Sequence, residues 1–295
     1  MNTKNWIQFI HERFPLFSHG PMIALFLGGH FALVYSQTKL WPSLSISLFV
    51  SMFITIFFLK MRLFDEIKDF EHDKIHNPTR PLPRGLLTVK NVQNAILICL
   101  AMEIILAAMI NPYSLKYALL AIGYSFLMFK EFFIGPYLRP HLTTYAVVHT
   151  IVTIPMAFFI FSALTNSYGF SNLFFYFALI NWCVFNIFEF GRKTFVAIEE
   201  RELIESYSKI FKPVGAVVLV ILMALLANFF QWKIQTTISP FQCLWVIFLT
   251  VSGISLVLLK SIPAAKIYRG FSSLYIILFY LTFIINTLSA IAESP

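Results

Sequence analysis

The sequence predicts an all-α, polytopic membrane protein of about nine transmembrane helices, and three observations predict it. The 295-residue chain is 58% hydrophobic and only 12% charged, more apolar surface than a water-soluble core uses. Its apolar residues fall in long stretches near the ~20 residues that a helix needs to cross hydrocarbon. The alternating pattern of a transmembrane barrel is absent, which leaves helices as the way to satisfy backbone N–H and C=O groups in lipid.

The elements follow in order, within a single domain spanning residues 1–295. Residues 1–18 place Trp6, Ile10 and Phe14 on one helical face and Lys4, Glu12 and Arg13 elsewhere, which predicts an interfacial helix and no cleavable signal peptide. Spans are predicted at about 20–36, 42–61, 92–110, 114–130, 143–164, 171–188, 213–230, 238–259 and 271–291. Two long charged loops, 61–90 and 189–212, emerge on the same side.

Of the 22 Lys and Arg residues, all but Lys39, Lys116 and Lys233 fall on that side. Basic residues accumulate in short cytoplasmic loops, so the N-terminus and both charged loops are expected in the cytoplasm and the C-terminus on the opposite side. Insertion topology alone accounts for this bias, so the net charge of +8 does not call for a nucleic acid partner. Cys99, Cys183 and Cys243 lie singly in apolar stretches, with neither metal-site nor disulfide spacing.

The first charged loop reads MRLFDEIKDFEHDKIHNPTRPLPRG, residues 61–85, and holds all the aspartates of the chain. Asp65, Asp69 and Asp73 are spaced i, i+4, i+8, which lines three carboxylates along one helical face. Such a row repels itself unless a cation sits among its members, and an all-oxygen ligand set suits a hard ion such as Mg2+. Arg80, Pro81, Pro83, Arg84 and Gly85 follow in a turn that brings guanidinium groups back to the acids. Carboxylates and arginines together suit a magnesium-bound diphosphate, whose oxygens bridge metal and guanidinium. A solvated juxtamembrane helix is the plain alternative for the acidic triplet alone.

The whole string resembles the UbiA superfamily of intramembrane prenyltransferases, whose first aspartate-rich motif runs N-x3-D-x3-D and is followed by an R-P-[LI]-P-x-G turn. Asp69 and Asp73 match the two aspartates, Asp65 stands where the family has Asn, and RPLPRG at 80–85 matches the turn. The resemblance implies a ring of helices around a lipid-accessible chamber, capped by the cytoplasmic loops. It also implies Mg2+ as cofactor and an isoprenyl diphosphate as substrate, with Asp69 and Asp73 acting through the metal and Arg80 on the diphosphate. Arg84 is a further candidate on the diphosphate.

The second loop departs from the family. Where a D-x2-D-x3-D motif is expected, the sequence has Asn186, Glu189 and Lys193, with Arg192 beside the last. Glu189 would hold a metal while Arg192 and Lys193 carry diphosphate charge that a second cation would otherwise neutralise. Beyond Ala197 an amphipathic surface helix is expected, with Glu200, Arg201, Glu205 and Lys209 in i,i+4 contacts; Glu199 and Glu200 are lesser candidates for the site. On the fourth span the family shows a Tyr followed four or five positions later by Lys. Here Tyr124 and Lys130 are six apart, which turns them away from one another; Lys130 is expected to reach the diphosphate or to snorkel at the interface.

Inside the spans lie Glu103, His30, His149 and Asn181. Ionisable groups there are functional candidates by default, but the position of Glu103, toward the outer half of its span, favours a hydrogen-bonded structural role. Pro155 and Gly123 are expected to kink or closely pack their helices.

The reaction expected from the resemblance is ionisation of the prenyl diphosphate followed by capture of the allylic cation by an acceptor, aromatic by preference. The same ionisation without an acceptor would make a membrane terpene cyclase. A polyprenyl-phosphate phosphoribosyltransferase is a third reading, and a transporter a non-enzymatic fourth.

Overall fold

The structure, a computed structural model, describes residues 3–200, 205–236 and 239–292. Its helices are α1 (Thr3–Arg13), α2 (Leu16–Thr38), α3 (Leu44–Lys68), α4 (Phe70–His76), α5 (Val89–Ile110), α6 (Pro112–Phe129) and α7 (Gly135–Leu138). They continue with α8 (Leu142–Thr150), α9 (Thr153–Thr165), α10 (Asn172–Arg192), α11 (Tyr207–Gln235), α12 (Pro240–Leu259) and α13 (Ile262–Ala292). There is no strand among the described residues.

Local chemistry sets the ends of the long helices. Ser43, Thr88, Asn111, Ser171 and Ser206 each cap an N-terminus by accepting from a backbone N–H three residues on. Lys39, Thr236 and Lys260 end α2, α11 and α12 in the left-handed region, each donating its backbone N–H to a carbonyl of the last turn. Helix α11 breaks at Lys212, the residue before Pro213, where the proline ring excludes helical geometry; the span starts there as the sequence predicts.

Among the described residues, eight helical segments are long and apolar enough to cross a membrane, with α8 and α9 counted as one, Leu142–Thr165. The remaining predicted span, the fourth, is α6, an 18-residue helix that Pro112, Ser114 and Lys116 make less apolar. It packs between α5 and α9. The helices close a ring in chain order: α2, α3, α5, α6, α8–α9, α10, α11, α12 and α13 each contact the next, and α13 returns to α2. Gly191 lets α10 approach α13, since a Cβ there would lie 2.2 Å from that of Ser272. Gly123 has open space around it, contrary to the close packing expected of it. The α8–α9 break lies at Ile151 and Val152; Ile151 is the residue four before Pro155, whose carbonyl meets the proline ring and loses its i+4 N–H donor, so the kink expected of Pro155 is present.

The interior is aromatic. Phe26, Phe161 and Phe177 surround His30, whose Nδ1 donates to the Phe26 carbonyl at 2.7 Å, leaving Nε2 as an acceptor for the Asn181 amide at 3.2 Å. Asn181 in turn accepts from the Tyr280 hydroxyl at 2.7 Å. All three side chains are fully buried, so the bridge satisfies polar groups that lipid could not.

Two expectations change. Lys60, one of the basic residues counted on the cytoplasmic side, is instead buried on α3 and donates to Glu103 at 2.5 Å, with both side chains 0% exposed. The rings of Phe57, Phe64 and Phe126 surround the ammonium. Glu103 thus takes the hydrogen-bonded role expected of it, with a partner 43 residues away that spacing cannot reveal. Helix α1 does not merely lie on the bilayer: Phe9 is completely buried with Leu63, Phe64, Leu82, Leu87 and Val92, and Trp6 and Ile10 pack against that cluster.

Candidate active site

Asp65, Asp69 and Asp73 lie on one nearly continuous helical path. The backbone N–H of Asp69 donates to the Asp65 carbonyl at 2.9 Å, that of Asp73 to Asp69 at 2.8 Å, and that of Asn77 to Asp73 at 2.8 Å. Asp69 is the joint between α3 and α4, still in helical geometry at φ −88°. The row of carboxylates is therefore built by the i,i+4 ladder itself.

The three acids differ in state. Asp73 is buried, its carboxylate 3% exposed, and is saturated by Arg80 at 2.5 Å and the Asn77 amide at 2.9 Å. Asp65 is 51% exposed, with Arg62 at 3.6 Å. Asp69 forms no ion pair among the described residues; crowding by protein atoms, and then the Asp73 charge, push its carboxyl above the usual aspartate range. Asp65 and Asp69 are thus open oxygen donors one turn apart, and Asp73 with Arg80 is a closed pair behind them.

Glu189 and the second cluster sit at the same end of the bundle. Phe58 of α3 stacks on Phe185 of α10, with ring centroids 6.1 Å apart; Asp65 follows two turns beyond Phe58, and Glu189 one turn beyond Phe185. Glu189 is held by its own helix end, by Arg192 Nε at 2.7 Å and Lys193 Nζ at 2.9 Å. Asn186 is buried and turned to α8, accepting from Thr150 at 3.1 Å.

Other sequence candidates are placed elsewhere. Tyr124 donates to the Val148 carbonyl at 2.6 Å, tying α6 to α8. Lys130 is exposed, its ammonium 5.4 Å from the Phe129 ring centre. Arg84 is engaged by Glu12 and by the Thr79 carbonyl. Glu199 makes a bidentate pair with Arg269 at 2.7 and 2.8 Å, which draws its carboxyl below the usual range. Glu200 accepts from Ser206 and Ser208 at 2.7 Å. The surface helix expected beyond Ala197 is instead a single 3-10 turn, Ala197–Glu199, followed by extended chain at Glu200; Arg201 lies outside the described residues. Hydroxyl bonds to Glu200 and the α13 arginine on Glu199 hold these two residues out of a continuous α-helix.

One cluster escaped the sequence reading. At the C-terminus of α3, Lys68 hydrogen-bonds the Tyr145 hydroxyl and lies 3.6 Å from Glu131, which Arg139 also grips at 2.8 Å. Glu131, Phe132 and Phe133 form a left-handed turn, φ 50–58°, and Gly135 has no Cβ to collide with the Glu131 carboxylate. Lys68 directly precedes Asp69, so adjacency was the available signal.

Among the described residues no three His, Cys, Asp or Glu side chains converge as a ready metal cluster. The open pair Asp65 and Asp69 nevertheless fits Mg2+, which commonly takes one or two protein carboxylates and completes its shell with water and phosphate oxygens.

Helix count, aromatic interior and one charged end define an integral, multi-pass α-helical membrane protein. The sequence pattern of the UbiA prenyltransferase family matches residues 22–270. The chain belongs to that family. A digeranylgeranylglyceryl phosphate synthase of Sulfurisphaera tokodaii is 26% identical over 104 residues, 35% of each chain. The match thus spans about a third of that relative. Two solved structures share the fold: an apo UbiA homolog from Aeropyrum pernix K1, with TM-score 0.63, 12% identity and 93% and 98% of the two chains covered, and a digeranylgeranylglyceryl phosphate synthase, with TM-score 0.62, 18% identity and 96% and 99% covered.

Proposed function

We propose that this protein is a Mg2+-dependent intramembrane prenyltransferase that ionises an isoprenyl diphosphate and passes the prenyl group to an acceptor. One observation carries the reading: the open carboxylates of Asp65 and Asp69 stand beside the Asp73–Arg80 pair at the mouth of an aromatic bundle. Bound there, Mg2+ would neutralise charge on the departing diphosphate. Asp65 and Asp69 would hold it. Asp73 fixes the guanidinium of Arg80, which is 32% exposed and so keeps donors to offer to a phosphate oxygen. Glu189, paired with Arg192 and Lys193, contributes a net positive cluster opposite, suited to the anionic headgroup. The prenyl tail would lie along the aromatic interior, whose ring faces favour an allylic cation. The Lys and Arg bias supports a cytoplasmic position for this end.

An aromatic ring is the acceptor expected from the sequence; the name of the Sulfurisphaera tokodaii relative makes a prenylglyceryl phosphate the first other class to test. The altered second motif, with Asn186 and Lys193 in place of acids, favours the terpene cyclase as second reading. Mass spectrometry of products from purified protein, Mg2+ and a series of prenyl diphosphates separates them. A transferase forms product only when an aromatic or glyceryl phosphate acceptor is present, whereas a cyclase releases hydrocarbon or terpene alcohol without one. Turnover by neither route would refute the proposal.

A further inference from the structure

The segment after the acidic helix, residues 77–87, is a chain of turns. Arg84 donates its backbone N–H to Arg80, Gly85 to Leu82 and Leu86 to Pro81, and Gly85 takes φ 79°. Local bonds of this kind order a turn only weakly. Yet Arg80, which must meet the diphosphate, stands on it.

Helix α1 grips this segment at several points. The Glu12 carboxylate receives both terminal nitrogens of Arg84, at 2.9 and 2.7 Å, in the bidentate geometry that fixes direction as well as distance. The Asn5 amide donates to the Leu86 carbonyl at 2.8 Å. Arg84 also reaches back to the Thr79 carbonyl at 2.7 Å, so the pair with Glu12 braces both arms of the turn. Phe9 is buried against Leu82 and Leu87 of the same segment. On its other side, Arg13 pairs at 2.5 Å with Glu66, whose carboxylate is 1% exposed and next in sequence to Asp65. Among the described residues, the hydrogen bonds by which the turn reaches distant sequence go to α1.

We propose that α1 is a latch for the diphosphate site: it holds the 77–87 turn, and through it Arg80 on Asp73, in the geometry that receives the substrate headgroup. Glu12, Asn5 and Arg84 are positioning residues, and Arg84 acts through the turn instead of touching phosphate. The inference rests on the prenyl diphosphate reading above. In that scheme, loosening the latch weakens capture of the diphosphate and leaves the ionisation step nearly alone, because Asp65 and Asp69 are on α3 and its cap, outside the turn.

The test uses the full chain in lipid nanodiscs, comparing wild type with Glu12→Arg, Arg84→Glu and the double exchange. Hydrogen exchange of peptides covering 77–87 and steady-state turnover of a prenyl diphosphate with Mg2+ are both read. Each single variant is expected to speed exchange of the Arg84, Gly85 and Leu86 amides and to raise KM about fivefold with kcat within about twofold, a size in keeping with one part-exposed ion pair. The double variant restores both, because the pair is re-formed with its charges reversed. If Arg84 were itself a phosphate ligand, the double exchange would stay as impaired as Arg84→Glu, and the latch would be refuted. Unchanged exchange in both single variants would refute it as well. Exchange decides the latch whether or not wild type turns over a prenyl diphosphate; absence of turnover would sink the enzymatic reading alone.

Discussion

Replacing Lys60 with Met removes one half of an ion pair that is wholly enclosed, with Nζ and Oε2 2.5 Å apart and neither side chain exposed. At that separation and an effective dielectric near 20, the attraction is roughly 7 kcal/mol. Withdrawing two ions from water costs several kcal/mol each, so the intact pair adds little over an apolar one. Removing one partner is different. Glu103 already has one oxygen with no hydrogen-bond partner, and without Lys60 the carboxylate must stay charged in an aromatic pocket or take up a proton. The expected loss is about 3–5 kcal/mol, roughly 10 °C in thermal midpoint for a chain of this size. The double variant Lys60→Met, Glu103→Leu is expected within about 1 kcal/mol of wild type. Thermal unfolding of the four proteins in one detergent completes the cycle. Small, additive losses from the two single variants would refute the claim that these residues act as one enclosed unit.

Three further outcomes follow from the same geometry. Asn181→Leu strands His30 Nε2 and the Tyr280 hydroxyl and is expected to cost roughly 2 kcal/mol, seen as a lower unfolding midpoint; an unchanged midpoint would mean the bridge is not formed. Arg80→Leu leaves the buried Asp73 carboxylate without its cation, so turnover should fall more than tenfold while Arg80→Lys retains part of it, as measured by product formation. The carboxyl of Asp69 is held above its ordinary range by burial and the Asp73 charge, so it takes up a proton at a higher pH than an ordinary aspartate, and Mg2+, which needs the carboxylate, competes with that proton. The affinity for Mg2+ should therefore weaken on acidification at a pH above that expected of an ordinary aspartate near ~3.9. Titration of Mg2+-dependent turnover by the wild type against pH checks this, and an acid limb no higher than that of an ordinary aspartate would refute it.

Much of the architecture was legible because hydrocarbon imposes one backbone solution and a fixed length. The caps at Ser43, Thr88, Asn111 and Ser171 lie where the apolar stretches begin, and Pro213 marks the true start of the seventh span. The row Asp65, Asp69, Asp73 was also legible, since its spacing is local and the i,i+4 ladder preserves it. What escaped is everything that joins distant sequence. Lys60 with Glu103, Glu12 with Arg84 and Glu199 with Arg269 are separated by 43, 72 and 70 residues, and a single sequence carries no signal for such pairs. The stretch after Ala197 looked helical because its charges fit i,i+4 spacing; Arg269 draws Glu199, and the Ser206 and Ser208 hydroxyls draw Glu200, into other contacts. Lys68 was hidden because the positive-inside rule already accounts for any basic residue in a loop of this kind.

The most direct test of the account is turnover of prenyl diphosphates by wild type and Asp69→Ala at graded Mg2+, with products identified by mass spectrometry and folding monitored by thermal midpoint. Wild type should form a prenylated or cyclised product that requires Mg2+, and the variant should lose it while keeping a midpoint within a few degrees, because among the described residues the Asp69 side chain forms no ion pair and caps no helix. A variant that works as fast as wild type at every Mg2+ concentration would contradict the assignment of the acidic helix to the metal and diphosphate.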